Sequence, residues 1–575
     1  MVDFKKEIAR SIVNAVPELR LEEAVGFLEI PPDGKMGDFA FPCFKLAALL
    51  KKSPVQISTD LQKKILLPKS IEKVQAIGPF LNFFVKQTVL SADVLQKVLK
   101  EKQKFGFAKA GSGKIMVEFV SPNTNKPLHI GHLRNMFLGE FFSNAFETQG
   151  LKPIRTELIN DRGVHICKSM LAYKKWGKDS TPKKAGKKSD HFVGDYYVMF
   201  AQKAAENPEL EQEALQMLND WEFGKPEVLK LSELMNDWAL KGQAETCKKC
   251  GVEFDRIYFE SQIYRKGKEI VLEGLKNGIF EKDETGAVIA NLEPFKLGKK
   301  VLLRADGTSI YMTQDIFLAK KKFDDFKGLK ESLTVTASEQ DLHFKQLFKI
   351  LELLGFDFAQ KCRHVFYGYV SLPEGRMKSR EGTVVDADDL ISELEALAET
   401  ELVKRYGNEI SEKELEKRKE AIALSALKFF LLKIEAQKDF VFNPSESISF
   451  EGETGPYLLY TFARSNSILK KAPKNLLSGK ADYSFLTLEK EKEISTLIAR
   501  FPEVLQNSLK NYSPHVLCHY LLKLSSTFNS YYHETPVLKA ENASTVKARL
   551  ALVKAVGITV QNGLDILGIQ ALDEM

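Results

Sequence analysis

The sequence predicts a multidomain protein with an α+β N-terminal domain, a Rossmann-type α/β domain and an all-α C-terminal bundle. In residues 1 to about 105, helical patterns are followed by strand-like runs such as VQAIGPFLNFFV. From Lys114, short apolar runs alternate with amphipathic helical patterns, which is typical of a parallel sheet with crossover helices. After about residue 390 almost every pattern is helical. These changes place the domains at 1–108, 109–392 and 452–575, with a helical connection at 393–451.

The α/β domain begins with a βαβ unit. IMVEFV predicts a buried strand, the loop SPNTNKPLHIG follows it, and the next helix ends at Gly150 and Pro153. PIRTELIND predicts the second strand and GVHICKSMLAYKKWG the second helix. Further along, SLTVTAS and HVFYGYVSL predict strands on either side of the helix EQDLHFKQLFKILELLG. The lysine-rich stretch 181–190 predicts an exposed loop inserted into this domain.

The composition is that of a globular protein of several cores, because 575 residues exceed what one core supports and 44% of them are hydrophobic. Lysine and arginine exceed aspartate and glutamate by 83 to 77, a net charge of +6 that permits nucleic-acid binding without proving it. No stretch reaches a membrane-spanning length, and MVDFKKEIAR lacks the apolar core of a signal peptide. We therefore expect a cytosolic protein with no membrane partner.

Six cysteines are scattered along the chain, and only Cys247 and Cys250 form a CxxC pair. Neither a second CxxC nor a histidine pair stands near enough to complete four zinc ligands. The pair therefore predicts two ordinary helix thiols, and we expect no tightly bound metal.

A histidine box, His129-Ile130-Gly131-His132, stands between the first strand of the α/β domain and the helix that follows. At this position of an open α/β sheet, free backbone N–H groups and the helix dipole favour phosphate. Gly131 has no side chain to obstruct a flat adenine ring, and two imidazoles can donate hydrogen bonds to phosphate oxygens. The alternative is a chance tetrapeptide in which a histidine only caps the helix.

The sequence VEFVSPNTNKPLHIGHLRN resembles the signature of class I arginyl-tRNA synthetases, whose HIGH box follows an EF-x-SPN-x-x-KP stretch. Further similar segments follow in family order: GDFAFPCFKLA in the N-terminal tRNA-binding domain, RADGTSIYMTQDI at the arginine site, SEQDLHF at the adenosine site, and GETGPYLLYTFARSNSIL at the start of the anticodon-binding bundle. The resemblance implies a HIGH-superfamily catalytic domain. It also implies an arginine–tRNA ligase that converts L-arginine and ATP to arginyl-adenylate and transfers the arginine to its tRNA, releasing AMP and pyrophosphate.

The second signature of class I enzymes, KMSKS, corresponds here to Arg376-Met377-Lys378-Ser379-Arg380, a mobile loop by resemblance. The first lysine of the signature is replaced by arginine, and the second is shifted or absent. In many arginyl enzymes a lysine just before the HIGH box compensates, and Lys126 occupies that place. The cation that serves the phosphates therefore stays open among Lys126, Lys378 and Arg380. The resemblance assigns ATP binding to His129, Gly131, His132, His343, Met377, Lys378 and Ser379.

A pocket selective for a guanidinium, which is planar and carries five donors, should present carboxylates at fixed positions. Glu118 lies in an otherwise apolar strand, where an unpaired carboxylate is costly, although an internal ion pair would also explain it. Tyr311 and Asp315 are four residues apart and share a helix face, which on its own is more often plain helix surface. By resemblance, Asn123 and Gln340 hold the amino and carboxyl ends of arginine, although Gln340 could be only an N-terminal helix residue.

Four tyrosines of the C-terminal bundle, and by resemblance the terminal methionine, are candidates for contacts with unpaired anticodon bases, although helical aromatics are equally often core: Tyr457, Tyr460, Tyr531, Tyr532 and Met575. The resemblance further implies a monomer that uses ATP with Mg²⁺. Rival interpretations are a cysteinyl or glutamyl synthetase and a catalytically silent RNA-binding relative. A cysteinyl enzyme should show cysteine-rich zinc ligands, and a glutamyl enzyme should show arginines facing its substrate.

Overall fold

The computed structural model describes residues 3–31, 36–108, 111–177, 179–373, 385–407 and 410–575. The N-terminal part is an antiparallel three-stranded sheet, ordered β1-β3-β2, with helices packed against it. Helix α1 is amphipathic: Asp3 caps it by accepting from the Lys6 N–H, and Ile8 and Ile12 are buried. The elements are α1 (Phe4–Ala15), α2 (Leu21–Phe27), β1 (Phe39–Pro42), α3 (Ala47–Leu50), α4 (Pro54–Lys64), β2 (Ile71–Ile77), β3 (Phe80–Val85) and α5 (Gln87–Glu101). The predicted α+β domain is confirmed.

The central part is built on a five-stranded parallel sheet with the order β11-β10-β4-β5-β6. Its elements are β4 (Lys114–Glu118), α6 (Ile130–Thr148), β5 (Lys152–Ile159), α7 (Val164–Trp176), α8 (Pro182–Ala185), α9 (Ser189–Glu206), α10 (Glu209–Glu222), α11 (Pro226–Lys249), β6 (Arg256–Phe259), α12 (Glu260–Ile263), α13 (Lys268–Lys276), β7 (Glu281–Lys282), β8 (Val288–Asn291), β9 (Lys299–Leu303), α14 (Tyr311–Asp325), β10 (Leu329–Ala337), α15 (Asp341–Leu353), β11 (Cys362–Tyr367) and β12 (Val370–Ser371). From β4 the chain first builds outward through β5 and β6, and later returns to add β10 on the other side. The carboxyl end of β4 is therefore the switch point, where open α/β sheets bind ligands.

Two insertions interrupt the parallel sheet. Helices α7 to α11 lie between β5 and β6 and contain an apolar cluster of their own, centred on Met170, Phe192 and Tyr196. Strands β7, β8 and β9 form a small antiparallel sheet. The prediction of an exposed loop at 181–190 is wrong in part, because Pro182–Ala185 is a helical turn and Asp190 is fully buried.

The remainder is helical except for the two-residue strand β13: α16 (Ala387–Tyr406), α17 (Glu412–Lys433), β13 (Phe440–Val441), α18 (Pro444–Ser447), α19 (Gly455–Lys471), α20 (Glu489–Lys510), α21 (Pro514–Glu534) and α22 (Ala543–Ile566). The C-terminal bundle packs on the N-terminal part. Phe105 stacks on Phe501 with ring centres 5.8 Å apart, and the Asn562 amide donates to the Phe105 carbonyl at 3.1 Å. None of the described helices has the length and apolarity that a membrane crossing requires.

Candidate active site

The histidine box lies at the N-terminus of α6, where His129 is the N-cap residue. The Gly131 N–H donates to His129 Nδ1, and the His129 N–H donates to His132 Nδ1, each at 3.1 Å. Because each Nδ1 accepts a hydrogen bond from a backbone N–H, each neutral ring carries its proton on Nε2. A Cβ at position 131 would lie 3.0 Å from the His129 ring, so glycine keeps this turn open.

The electrostatics of the box favour an anion. Burial, followed by the charge of Lys126, lowers the pKa of His129 to about 3. Burial, followed by the neighbouring His129 and Lys126, also holds the pKa of His132 well below its ordinary value. Both rings are therefore neutral donors at pH 7. The ammonium group of Lys126, which is half-buried, lies beside them and has no ion pair with any described residue.

The loop that carries Lys126 leaves β4 through strained backbone, since Val120 and Ser121 have φ of 65° and 47°. The Val120 N–H donates to Asn135 Oδ1 at 2.6 Å, and the amide of buried Asn135 in turn donates to the Val335 carbonyl on β10 at 2.9 Å. Asn135 therefore ties the loop to the sheet. Sequence reasoning missed this residue, whose position one turn into α6 carries no local signal.

A cavity of about 570 Å³ opens at the carboxyl ends of β4, β5 and β10. The six residues that the sequence assigns to arginine and adenosine all line it: Glu118, Asn123, Tyr311, Asp315, Gln340 and His343. The chain thus brings together side chains from β4, its following loop, α14, the turn before α15 and α15 itself. Their individual roles remain predictions.

Each predicted carboxylate of the cavity already has a cationic or hydrogen-bonding partner. Glu118 Oε2 lies 2.8 Å from Lys322 Nζ, so the alternative of an internal ion pair is present in the structure. Asp315 Oδ2 lies 2.6 Å from His343 Nε2. His343, which the sequence analysis places near adenosine, therefore contacts the predicted guanidinium ligand directly.

A third carboxylate, Glu260, lines the same cavity and was missed by sequence reasoning. It is the first residue of α12, immediately after β6, and it is 4% exposed. Burial raises its pKa to about 7, which the charge of nearby Arg162 counteracts. Its place at the end of a parallel strand was the available signal, because ligand residues gather at that edge.

Known protein families match the chain along almost its whole length. The Arginyl tRNA synthetase N terminal domain matches residues 3–85, the catalytic domain of class I tRNA synthetases (R) matches 94–444, and the DALR anticodon binding domain matches 458–575. The chain belongs to the arginyl-tRNA synthetase family.

Individual relatives of this synthetase family agree over full length. The arginine–tRNA ligase of Treponema denticola is 46% identical over 100% of this chain and 99% of its own. That of Treponema pallidum is 42% identical over 96% of each chain. The solved arginyl-tRNA synthetase of Thermus thermophilus superposes with a TM-score of 0.82 at 26% identity, covering 100% of both chains. The predicted multidomain synthetase fold is confirmed.

The second synthetase signature, Arg376 to Arg380, lies outside the described residues, and so do the predicted roles of Met377, Lys378 and Ser379. The described chain resumes beside the histidine box. Asp386 pairs with His129 through an isolated antiparallel bridge, and the Ala387 N–H donates to the Leu128 carbonyl at 2.9 Å.

A cluster of charged groups holds the start of α16 against the inserted helices. Lys188 Nζ and His191 Nε2 lie 2.6 Å and 2.9 Å from the same oxygen of Asp388. Asp190, His191 and Asp388 are the one group in the described part of the chain with metal-ligand proximity, but Lys188 already supplies a cation there. Cys250 is buried, and burial raises its thiol pKa to about 12, so the CxxC pair offers no thiolate.

A groove of about 760 Å³ in the range matched by the anticodon-binding domain is lined by Tyr460, Tyr532 and Met575. Arg464 lies over both rings, 4.5 Å from Tyr460 and 5.0 Å from Tyr532. The prediction for Tyr531 is wrong, because its ring is fully buried and its hydroxyl contacts Glu491.

Tyr457 also stays out of the groove, since it packs, half-buried, against the core of the bundle. Neighbouring positions on one helix point to different sides, so the packing of the bundle decides which tyrosine a ligand can reach.

Proposed function

We infer that this chain is an arginine–tRNA ligase, which activates L-arginine with ATP and transfers it to the 3′ end of arginine tRNA. The observation that carries this inference is the cavity in which three carboxylates converge, at the sheet edge where α6 begins with two neutral imidazoles and where Lys126 lies. The carboxylates suit a guanidinium, and the imidazoles and lysine suit a triphosphate.

We assign the guanidinium of arginine to Asp315, Glu118 and Glu260, with Tyr311 on the cavity wall. Lysine cannot offer paired donors to several carboxylates, so the wrong amino acid would leave buried charges unsatisfied. Asn123 and Gln340 line the same cavity and serve the amino and carboxyl ends of the substrate. His343 orients Asp315 through the 2.6 Å contact.

We assign ATP to the start of α6. The adenine lies over Gly131, and the Nε2–H groups of His129 and His132 donate to phosphate oxygens. Lys126, with Lys378 or Arg380 of the second signature, neutralises the charge that develops at the phosphates. Mg²⁺ enters with ATP as its phosphate complex.

The reaction needs positions and charges rather than an acid or base of the enzyme. An oxygen of the arginine carboxylate attacks the α-phosphorus in line, and pyrophosphate leaves with the bonding electron pair. The terminal ribose hydroxyl of the tRNA then attacks the carbonyl carbon of the mixed anhydride, loses its proton, and releases AMP.

We propose that the groove of Tyr460, Tyr532 and Met575 takes unpaired anticodon bases. Its stacked arginine and two half-open rings are the side chains that bind single-stranded bases in other proteins. We propose that the domains span residues 1–108, 109–392, 393–451 and 452–575. From family likeness alone, we propose that the protein is a monomer in the cytoplasm.

Pyrophosphate exchange into ATP, measured with each of the twenty amino acids in the presence of tRNA, tests the assignment. Of the twenty amino acids, only arginine should support exchange. Exchange with cysteine or glutamate would favour the rival synthetases, and a folded protein without exchange would favour a silent RNA-binding relative.

A further inference from the structure

Arg162 follows β5 and is one of the residues that line the arginine cavity. Its side chain is 12% exposed and lies over the Tyr264 ring at 3.9 Å. Arg162 Nη2 lies 2.5 Å from a carboxylate oxygen of Glu222, and Arg162 Nη1 lies 3.5 Å from a carboxylate oxygen of Glu260. Arg162 therefore bridges a half-exposed carboxylate outside the cavity and a buried one inside it.

The guanidinium of Arg162 should repel the guanidinium of the substrate unless nearby carboxylates neutralise its charge. Glu222 neutralises Arg162, so Arg162, Glu222 and ionised Glu260 carry one net negative charge between them. Arg162 thus leaves the net attraction of the pocket intact.

Glu260 needs a nearby cation to favour its ionised form, because it is buried and also has acidic neighbours. Burial raises its pKa to about 7 even though the charge of Arg162 lowers it, and Asp161 and Asp315 also raise it. A hydrogen bond with Gln314 on α14 lowers it further. Without Arg162, a buried carboxyl beside two aspartates would be protonated at neutral pH.

We propose that Arg162 is a positioning residue for arginine recognition, which holds Glu260 on the cavity wall and favours its charged form. This proposal rests on the proposed function. Arg162 acts through Glu260 and is assigned no contact with the substrate.

The test is the pH dependence of the KM for arginine in pyrophosphate exchange, between pH 6 and 9, with saturating ATP and tRNA. In the unchanged protein the KM should rise as the pH falls below about 7, because Glu260 takes up a proton. In Arg162→Gln this rise should begin at higher pH. The KM for arginine at pH 7 should then be raised by about tenfold, which is the loss expected when Glu260 no longer makes a charged hydrogen bond to arginine. The difference in KM between the variant and the unchanged protein should narrow towards pH 9.

Arg162→Lys keeps the charge and should follow the unchanged pH profile more closely than Arg162→Gln. Arg265→Gln is the matched control, since Arg265 also lies over Tyr264, at 5.0 Å, and donates to the Glu222 carbonyl, but does not line the cavity. We expect no shift of the profile in that variant. Circular dichroism establishes that each variant is folded.

The Glu260→Gln variant distinguishes failure of the role proposed for Arg162 from failure of the proposed function. If this variant binds arginine normally, the role of Glu260 in the proposed function is wrong. If it binds arginine poorly while Arg162→Gln keeps the unchanged profile, only the role of Arg162 is overturned. An increase in KM that is equal at every pH, or equal pH shifts in Arg162→Gln and Arg162→Lys, would also overturn it.

Discussion

Replacing Asp315 by asparagine tests the arginine site most directly, because it keeps the shape of the side chain and removes its charge. Asp315 is on α14, one turn after Tyr311, and Oδ2 contacts His343 at 2.6 Å. Oδ1 has no hydrogen-bond partner among the described residues, so one oxygen is available for a guanidinium. A hydrogen bond between charged groups contributes about 1.5–3 kcal/mol, so we expect the KM for arginine to rise by about 10- to 100-fold.

Pyrophosphate exchange in the presence of tRNA measures this change, and the KM for ATP should change by no more than about twofold, because the phosphate site is separate. Asp341→Asn is the matched control. Its side chain is 27% exposed, against 25% for Asp315, and it pairs with Lys345 outside the cavity. An unchanged KM for arginine in Asp315→Asn, or an equal rise in both variants, would refute the assignment.

Three further predictions concern the phosphate site, the tRNA and the charged cluster. Lys126→Ala should lower kcat by at least about tenfold while the KM for arginine stays within about threefold, because its contact strengthens as charge develops at the phosphates; greater damage from Lys378→Ala would reverse the two roles. Without tRNA, arginine and ATP should give negligible pyrophosphate exchange, and adding tRNA should restore the exchange. The KM for tRNA should be higher in Tyr532→Ala than in the unchanged protein. Vigorous exchange without tRNA would contradict this coupling. Burial raises the pKa of Asp388, but hydrogen bonds from His191 and Lys188 outweigh burial and lower the pKa to about 2. Asp388 should therefore add about 2 kcal/mol to the free energy of unfolding above pH 4. This contribution should be lost as the pH falls towards 2. The stability of Asp388→Asn should not show this fall in acid. Asp389→Asn, which changes an exposed neighbour, should show the same fall as the unchanged protein.

Truncating the chain before residue 452 would be a poor test of how tRNA binding is coupled to pyrophosphate exchange. The bundle packs on the N-terminal part through Phe501 and Asn562, so its removal would expose buried apolar surface. Substitution within the groove leaves that packing in place.

Local features could be predicted from the sequence because they depend on neighbours along the chain. The apolar run before Glu118, the cap and glycine of the histidine box, and the four-residue spacing of Tyr311 and Asp315 are such features. The alternation of strands and helices predicted the parallel sheet for the same reason, and a parallel sheet brings the carboxyl ends of its strands to one edge. The gathering of the predicted residues in one cavity follows from that edge.

The pairing of charges was decided by tertiary structure alone. Nothing near Glu118 in the sequence indicates Lys322, and nothing near Glu260 indicates Arg162, because each pair joins elements that only the order of the strands brings together. Tyr531 and Tyr532 are adjacent and chemically identical, yet one is core and the other lines the groove. Sequence by itself determined the strands and helices that carry the predicted site residues, and the edge of the sheet that holds the site. Which buried charges are neutralised, and which rings remain accessible, depends on long-range packing that no local pattern encodes.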